Sequence, residues 1–237
     1  MRVSSQINSH IFKTMSMDIN QLIEHTSLKP ILEARDIDEL IAEAQEHKFL
    51  GVCLPPFWVK KAARELGDTD IQLVTVIGFP LGYNLTETKE LEIKKAIDQG
   101  ANELDIVMNI SAFKSGMPWV KIELAKCAHL IHESGCLMKV IIETAYLNEE
   151  EIIRATKLCS EAGTDFVKTS TGFAGQGAKV DNIQLMRETA PSNVGIKASG
   201  GIKTLQEAQA MIKAGANRIG TSSGVSIMRE YADSLRH

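Results

Sequence analysis

Cysteine is scarce in this sequence and poorly spaced for a structural role. Cys53, Cys127, Cys136 and Cys159 form no C-x-x-C pair and have no matching histidine pairs, so neither a zinc site nor a disulfide framework is indicated. A reducing, cytoplasmic setting is the expectation that follows. Aromatic residues make up only 5% of the 237 positions, which predicts a core filled by Val, Ile, Leu and Ala. No apolar run is long enough to span a bilayer, and residues 1–17 contain no continuous hydrophobic stretch of the signal-peptide kind. An excess of positive charge is also missing. The net charge is −4 with both signs interspersed, leaving no basic stripe to neutralise a nucleic-acid backbone. An anionic ligand must then be held by local features, such as helix N-termini and a few placed cations.

What is present is a rhythm. From Leu22 onward, short apolar runs alternate with amphipathic stretches, as repeated strand–helix units require. The runs centre near His25, Val52, Val74, Asp105, Val140, Val167, Ile196 and Ile219, and their number predicts a single (β/α)8 TIM barrel of the α/β class over residues 18–237. Residues 1–17 form an N-terminal extension whose role is not legible. A doubly wound open sheet is the alternative, but no G-x-G-x-x-G follows the first strand. Ile37, Leu40, Ile41 and Ala44 mark one helix face, and Val120, Leu124, Ala128 and Ile131 another. Asp36 with Glu39, Asn148 with Glu151 and Thr204 with Glu207 read as capping boxes. Gly100, Gly163 and Gly215 read as left-handed helix stops.

Strand parity sorts the polar residues onto one face. Lys139 shares a face with Glu143, Lys168 with Phe166 and Ser170, and Lys197 with Gly195 and Ser199, while Asp105 lies opposite Leu104 and Ile106. Three lysines therefore interrupt apolar strands where Val or Ile would stabilise a purely structural barrel better. Lysines gathered in one lumen are expected to depress one another's pKa, and an uncharged amine attacks carbonyls to form an imine. The bland reading is a structural ion network with Asp105 and Glu143. Against it stand the glycine- and hydroxyl-rich segments Thr169–Gly172, Ala198–Gly201 and Gly220–Gly224, at the strand ends where barrels place phosphate and catalytic groups. Phosphate is expected on the amides of Gly172, Gly200, Gly201 and Gly220, with Thr171, Ser222 and Ser223 as hydroxyl donors. Lys139 is the rival nucleophile, held inactive by pairing with Glu143. His25 and Cys53 read as structural residues.

The segments EHTSLKP, GVCLPP, VIGFPLG, ANELDIVMNI, MKVIIETAYL, DFVKTSTGF, VGIKASGGIKT and NRIGTSSG resemble the deoxyribose-phosphate aldolase family in order and spacing, from Ile23 to Ile227. The resemblance implies a class I lyase that cleaves 2-deoxy-D-ribose 5-phosphate reversibly to acetaldehyde and D-glyceraldehyde 3-phosphate, in deoxyribose phosphate catabolism. It implies Lys168 as the Schiff-base nucleophile, Lys197 as the lysine that tunes it, and Asp105 as proton donor and acceptor. No metal and no cofactor are implied, and the partners are the sugar phosphate, the aldehydes and further copies of the chain in a homodimer or higher homo-oligomer. Two departures stand out. Phe173 occupies a position where some relatives carry lysine, which predicts weaker discrimination against unphosphorylated substrate unless Lys203 or Lys179 compensates. Glu24, near the substrate end of the first strand, replaces a common Asp. Two competing readings are a lysine aldolase or transaldolase for a longer sugar phosphate, and a catalytically silent phosphate-binding barrel.

Overall fold

The computed structural model describes residues 18–236, so the extension expected at 1–17 lies outside the described residues. Eight strands, β1 (Ile23–Thr26), β2 (Gly51–Leu54), β3 (Gln72–Ile77), β4 (Glu103–Val107), β5 (Leu137–Ile141), β6 (Phe166–Lys168), β7 (Gly195–Ser199) and β8 (Arg218–Thr221), close into a barrel in sequence order. All neighbours are parallel, including the closing pair β1 and β8. Each of the eight apolar runs became a strand.

The helices α1 (Ala34–His47), α2 (Val59–Leu66), α3 (Thr86–Asp98), α4 (Ile110–Lys114), α5 (Trp119–Glu133), α6 (Glu149–Glu161), α7 (Val180–Thr189), α8 (Leu205–Lys213) and α9 (Gly224–Ser234) form the outer layer. The main core lies between this layer and the outward faces of the strands. Ile37, Leu40, Ile41 and Ala44 of α1 and Val120, Leu124, Ala128 and Ile131 of α5 are all buried in it, as their spacing predicts. The capping boxes at Asn148 and Thr204 form, and Gly100, Gly163 and Gly215 take positive φ where their helices stop. The box expected at Asp36 and Glu39 does not. Glu33 adopts the extended cap conformation instead, and its backbone N–H donates to Asp36, which occupies the third helical position. Among the described residues no helix is long and apolar enough to cross a membrane.

Candidate active site

The barrel interior is charged where its outside is apolar. Asp105 pairs in register with Lys139 on β4 and β5, and Lys168 with Lys197 on β6 and β7, so parity sends all four inward toward one another. Lys168 and Lys197 each donate to Oδ2 of Asp105 at 2.7 Å, and Lys139 donates to Oδ1 at 3.0 Å. Lys139 also meets Glu103 at 2.5 Å and Glu24 at 3.4 Å. Lys197 donates to Glu24 as well. Arg218 closes the inner end, bonded to Glu24 at 3.0 Å and to Glu103 at 2.5 Å, with its guanidinium 4.5 Å from the centre of the Phe166 ring. Gly220 lets Lys197 through, since a Cβ there would lie 3.1 Å from the lysine Cε and 3.0 Å from the Ser199 Cβ.

The carboxylates decide the electrostatics. Burial disfavours the charged form of Asp105, but Lys139, Lys168 and Lys197 outweigh it and hold the carboxyl well below its ordinary pKa. Burial opposes Glu24 too, yet Lys139 and Lys197 bring it down to about 2. Burial would discharge Lys139 and Lys197, and instead Asp105 and Glu24 raise both. The expected mutual depression of the lysines is thus corrected for these two, because three carboxylates share the lumen with them. Glu24 is corrected in position as well: it is fully buried in the lumen, bonded to Lys139, Lys197 and Arg218, and does not reach the substrate end of β1.

The pairing expected between Lys139 and Glu143 is absent. β5 ends at Ile141, and Glu143 turns to a left-handed φ of 49°, which swings its carboxylate away from the strand face. It accepts instead from the Thr171 N–H at 3.0 Å and the Thr171 hydroxyl at 2.5 Å, fastening the loop that follows Lys168. A second fastening joins this loop to the next. Ala178 N–H donates to the carbonyls of Ser199 and Gly200 at 3.0 Å, and a side chain at Gly177 would meet the Gly200 carbonyl oxygen at 2.0 Å.

These loops enclose a pocket of about 300 Å³ at the C-terminal mouth of the barrel. Thr171, Gly172, Gly200, Gly201, Gly220 and Ser222 line it together with Lys203. Lys29 also lines it and was not anticipated, because nothing in EHTSLKP alone aims that lysine across the barrel mouth. Ser223 is outside the lining, and its N–H donates to the Thr221 hydroxyl. Lys179 lies in a separate groove with Asn148 and Gln176, so only Lys203 of the two suggested cations faces the pocket. Phe173 lines the pocket half-exposed, edge-on to Phe79 at 5.2 Å. Glu103 and Arg218 are the charged partners that sequence reasoning missed. Each shares strand parity with an inward residue, Asp105 and Gly220 respectively, and that was the available signal.

The remaining candidates are structural. His25 is buried and its Nε2 lies 2.7 Å from Glu43 on the outer side of β1. Burial pushes the Cys53 thiol up to about 11 despite the nearby Lys197 and Lys168. Among the described residues, no cluster of three or more His, Cys, Asp or Glu side chains is arranged to hold a metal ion.

Comparison with known proteins agrees with this geometry. The family model described as DeoC/LacD family aldolase matches residues 15–231. A protein of Thermococcus gammatolerans named deoxyribose-phosphate aldolase is 50% identical over 217 residues, covering 90% of this chain and 96% of its own. One of the same name from Brevibacillus brevis is 51% identical over 213 residues, with the same coverage of both chains. Among solved structures, the deoxyribose phosphate aldolase of Aeropyrum pernix, described as having a unique tetrameric structure, superposes with a TM-score of 0.85 at 31% identity over 91% of this chain and 92% of that one. With a match over nearly its whole length and half of its residues shared with relatives, this chain belongs to the DeoC/LacD family of aldolases.

Proposed function

We propose that this enzyme is a deoxyribose-phosphate aldolase, reversibly cleaving 2-deoxy-D-ribose 5-phosphate to acetaldehyde and D-glyceraldehyde 3-phosphate through an imine on Lys168. The observation that carries the site assignment is the position of Lys168. It ends β6 at the mouth of the barrel, beside the glycine-lined pocket, and shares one oxygen of Asp105 with Lys197. Lys139 lies deeper, fully enclosed by three carboxylates.

In the synthetic direction, the Lys168 amine attacks the acetaldehyde carbonyl carbon and gives a carbinolamine. Proton transfer to its hydroxyl expels water and leaves the iminium. Loss of a proton from the methyl carbon then produces the enamine, whose carbon adds to the aldehyde of glyceraldehyde 3-phosphate. Water finally hydrolyses the product imine and frees Lys168. Lys197, held protonated, is the proton source. Asp105, held ionised, is the acceptor, and both reach Lys168 through one carboxylate oxygen. Attack requires an uncharged amine. Of the four bases in the lumen, Lys168 pairs with Asp105 alone, whereas Lys139 meets three carboxylates and Lys197 and Arg218 meet two each. The phosphate rests on the amides of Gly172, Gly200, Gly201 and Gly220 with Ser222, and Lys203 and Lys29 supply positive charge.

The tetrameric Aeropyrum pernix relative supports assembly of this chain as a homo-oligomer. The test of the chemistry is borohydride reduction in the presence of acetaldehyde, followed by peptide mass analysis. The expected result is a reduced two-carbon adduct on Lys168. An adduct on Lys139 overturns the site assignment, and phosphate binding with no adduct at all replaces the aldolase by a silent binding barrel.

A further inference from the structure

Glu143 combines two unfavourable features that a purely structural residue would avoid. Its backbone takes a left-handed φ of 49°, a conformation that residues with a long side chain adopt rarely and only where the surroundings enforce it. Its carboxylate is buried, with no lysine or arginine bonded to it among the described residues, and its Oε1 is enclosed without a hydrogen-bond partner. Burying such a group is costly unless its bonds secure something else. The flanking backbone holds it there. Ile142 N–H donates to the Lys168 carbonyl at 3.0 Å and Thr144 N–H to the Thr169 carbonyl at 2.9 Å, so both neighbours of Glu143 are tied to the end of β6.

What this arrangement secures is Thr171. The N–H and the hydroxyl of Thr171 both donate to Oε2 of Glu143, and the hydroxyl oxygen in turn accepts from the Phe173 N–H at 3.0 Å. Both donors of Thr171 are thereby engaged, which removes it from the hydroxyl donors that the sequence offered to a phosphate. Gly172 stands between these two pinned residues, with a φ of 86° and open space where a Cβ would lie. Glycine is required there by the direction of the backbone and not by crowding. The Gly172 N–H donates to no group among the described residues, and Gly172 lines the glycine-rich pocket. The chain from Glu143 through Thr171 to Phe173 therefore fixes the backbone on either side of the one amide in this segment that the pocket can use.

We propose that Glu143 is a positioning residue for phosphate: acting through Thr171, it holds the Gly172 N–H in the direction that meets the 5-phosphate, and so governs affinity for the phosphorylated sugar without taking part in the chemistry on Lys168. The proposal rests on the aldolase reading for its substrate and on the loop geometry for its residue. The carboxylate that serves the lysines is Asp105, to which Lys139, Lys168 and Lys197 all donate, whereas the bonds of Glu143 run to Thr171.

The test compares the full chain with Glu143→Ala, Glu143→Gly and Glu143→Gln, using deoxyribose 5-phosphate, deoxyribose, and calorimetric binding of inorganic phosphate. Glu143→Ala is expected to raise KM for the phosphorylated sugar about tenfold, the effect of misaiming one amide at an anion, with kcat within about twofold. Its kcat/KM for deoxyribose and its rate of borohydride trapping with acetaldehyde are expected to stay at the wild-type level, because neither molecule carries a phosphate. Glu143→Gly adopts the left-handed backbone readily and lacks the carboxylate, so it reports the same loss where the alanine variant folds poorly. Glu143→Gln keeps an oxygen that accepts both Thr171 donors and is expected to return KM to within about threefold of wild type. Adding Thr171→Val to Glu143→Ala is expected to cost less than about twofold more, since the two residues act as one chain. Equal losses with both sugars, slower trapping of acetaldehyde, or a glutamine variant as defective as alanine overturns the proposal. A wild type that cleaves neither sugar overturns the aldolase reading alone. Inorganic phosphate then decides the role of Glu143: binding about tenfold weaker in Glu143→Gly supports it, and unchanged binding overturns it.

Discussion

Lys168 and Lys197 face each other in register on adjacent strands, and their amines converge on the same carboxylate oxygen, Oδ2 of Asp105. One lysine ends its strand at the mouth of the barrel while the other has a second carboxylate, Glu24, beneath it. The two amines therefore share a proton acceptor but differ in how firmly each is tied down, which is the asymmetry needed to separate nucleophile from proton carrier.

Replacing Lys197 by Met is expected to keep Lys168 reactive and to remove its proton source. The expected loss in kcat/KM is about 10²- to 10⁴-fold, the usual weight of a general acid. Borohydride should still label Lys168, more slowly. Steady-state kinetics and peptide mapping on the same preparation check both halves.

The acid limb of stability should report Glu24 and Asp105. Both carboxyls have lowered pKa values in the folded chain, so they stabilise it above their unfolded values, and that contribution is lost as pH falls through the folded ones. For Glu24 the window runs from 4.5 down to about 2. Lys197, raised, stabilises below its ordinary value of 10.5 and loses that contribution only as pH climbs beyond it. Urea unfolding is therefore expected to give a plateau across neutral pH and a fall below about pH 4.5. Glu24→Gln should lower the plateau by about 3 kcal/mol and flatten the acid fall, because the group that titrates there is gone.

Periodicity located the barrel because strand and helix repeats are local properties, and parity sent Lys139, Lys168, Lys197 and Asp105 to the correct face. What parity cannot give is height. Whether Lys139 meets Glu143 or Glu103 depends on the stagger between β4 and β5 and on where β5 stops, and both are set by closure of the whole barrel. Glu143 was misplaced because its left-handed backbone takes it out of the alternation. Arg218 escaped notice at the start of a run whose glycines and hydroxyls drew the reading toward its other end. The glycine-rich loops at the barrel mouth were legible as composition, while the cations facing them were not: Lys29 lines their pocket and Lys179 does not, because loop direction is a tertiary property.

Lys139 separates structural from catalytic roles. Its amine meets Glu24, Glu103 and Asp105, and removing it leaves three buried carboxylates with fewer partners. Lys139→Met is expected to cost about 3–5 kcal/mol in urea unfolding, as breaking a buried ion cluster does. In the fraction that remains folded, acetaldehyde and borohydride should still mark Lys168. A label that disappears with Lys139 in a fully folded variant would make Lys139 the nucleophile.

Phe173 makes the strongest case for a substrate preference peculiar to this chain. It stands half-exposed in the lining of the glycine-rich pocket proposed for the phosphate and rests edge-on against Phe79, so that wall of the pocket is apolar where a cation would favour phosphate. The remaining positive charge comes from Lys203 and Lys29. A charge-assisted hydrogen bond to phosphate contributes about 1.5–3 kcal/mol, which is a tenfold effect or more on discrimination. Phe173→Lys is therefore expected to raise the ratio of kcat/KM for deoxyribose 5-phosphate over deoxyribose by about tenfold. Lys203→Ala is expected to lower that ratio, with kcat/KM for unphosphorylated deoxyribose unchanged in both variants because neither touches the Lys168, Lys197 and Asp105 cluster. Kinetics with the two sugars on the three proteins decide it. If the wild type already discriminates strongly and Phe173→Lys adds nothing, the glycine amides alone hold the phosphate and the aromatic pair at the mouth has no part in selecting it.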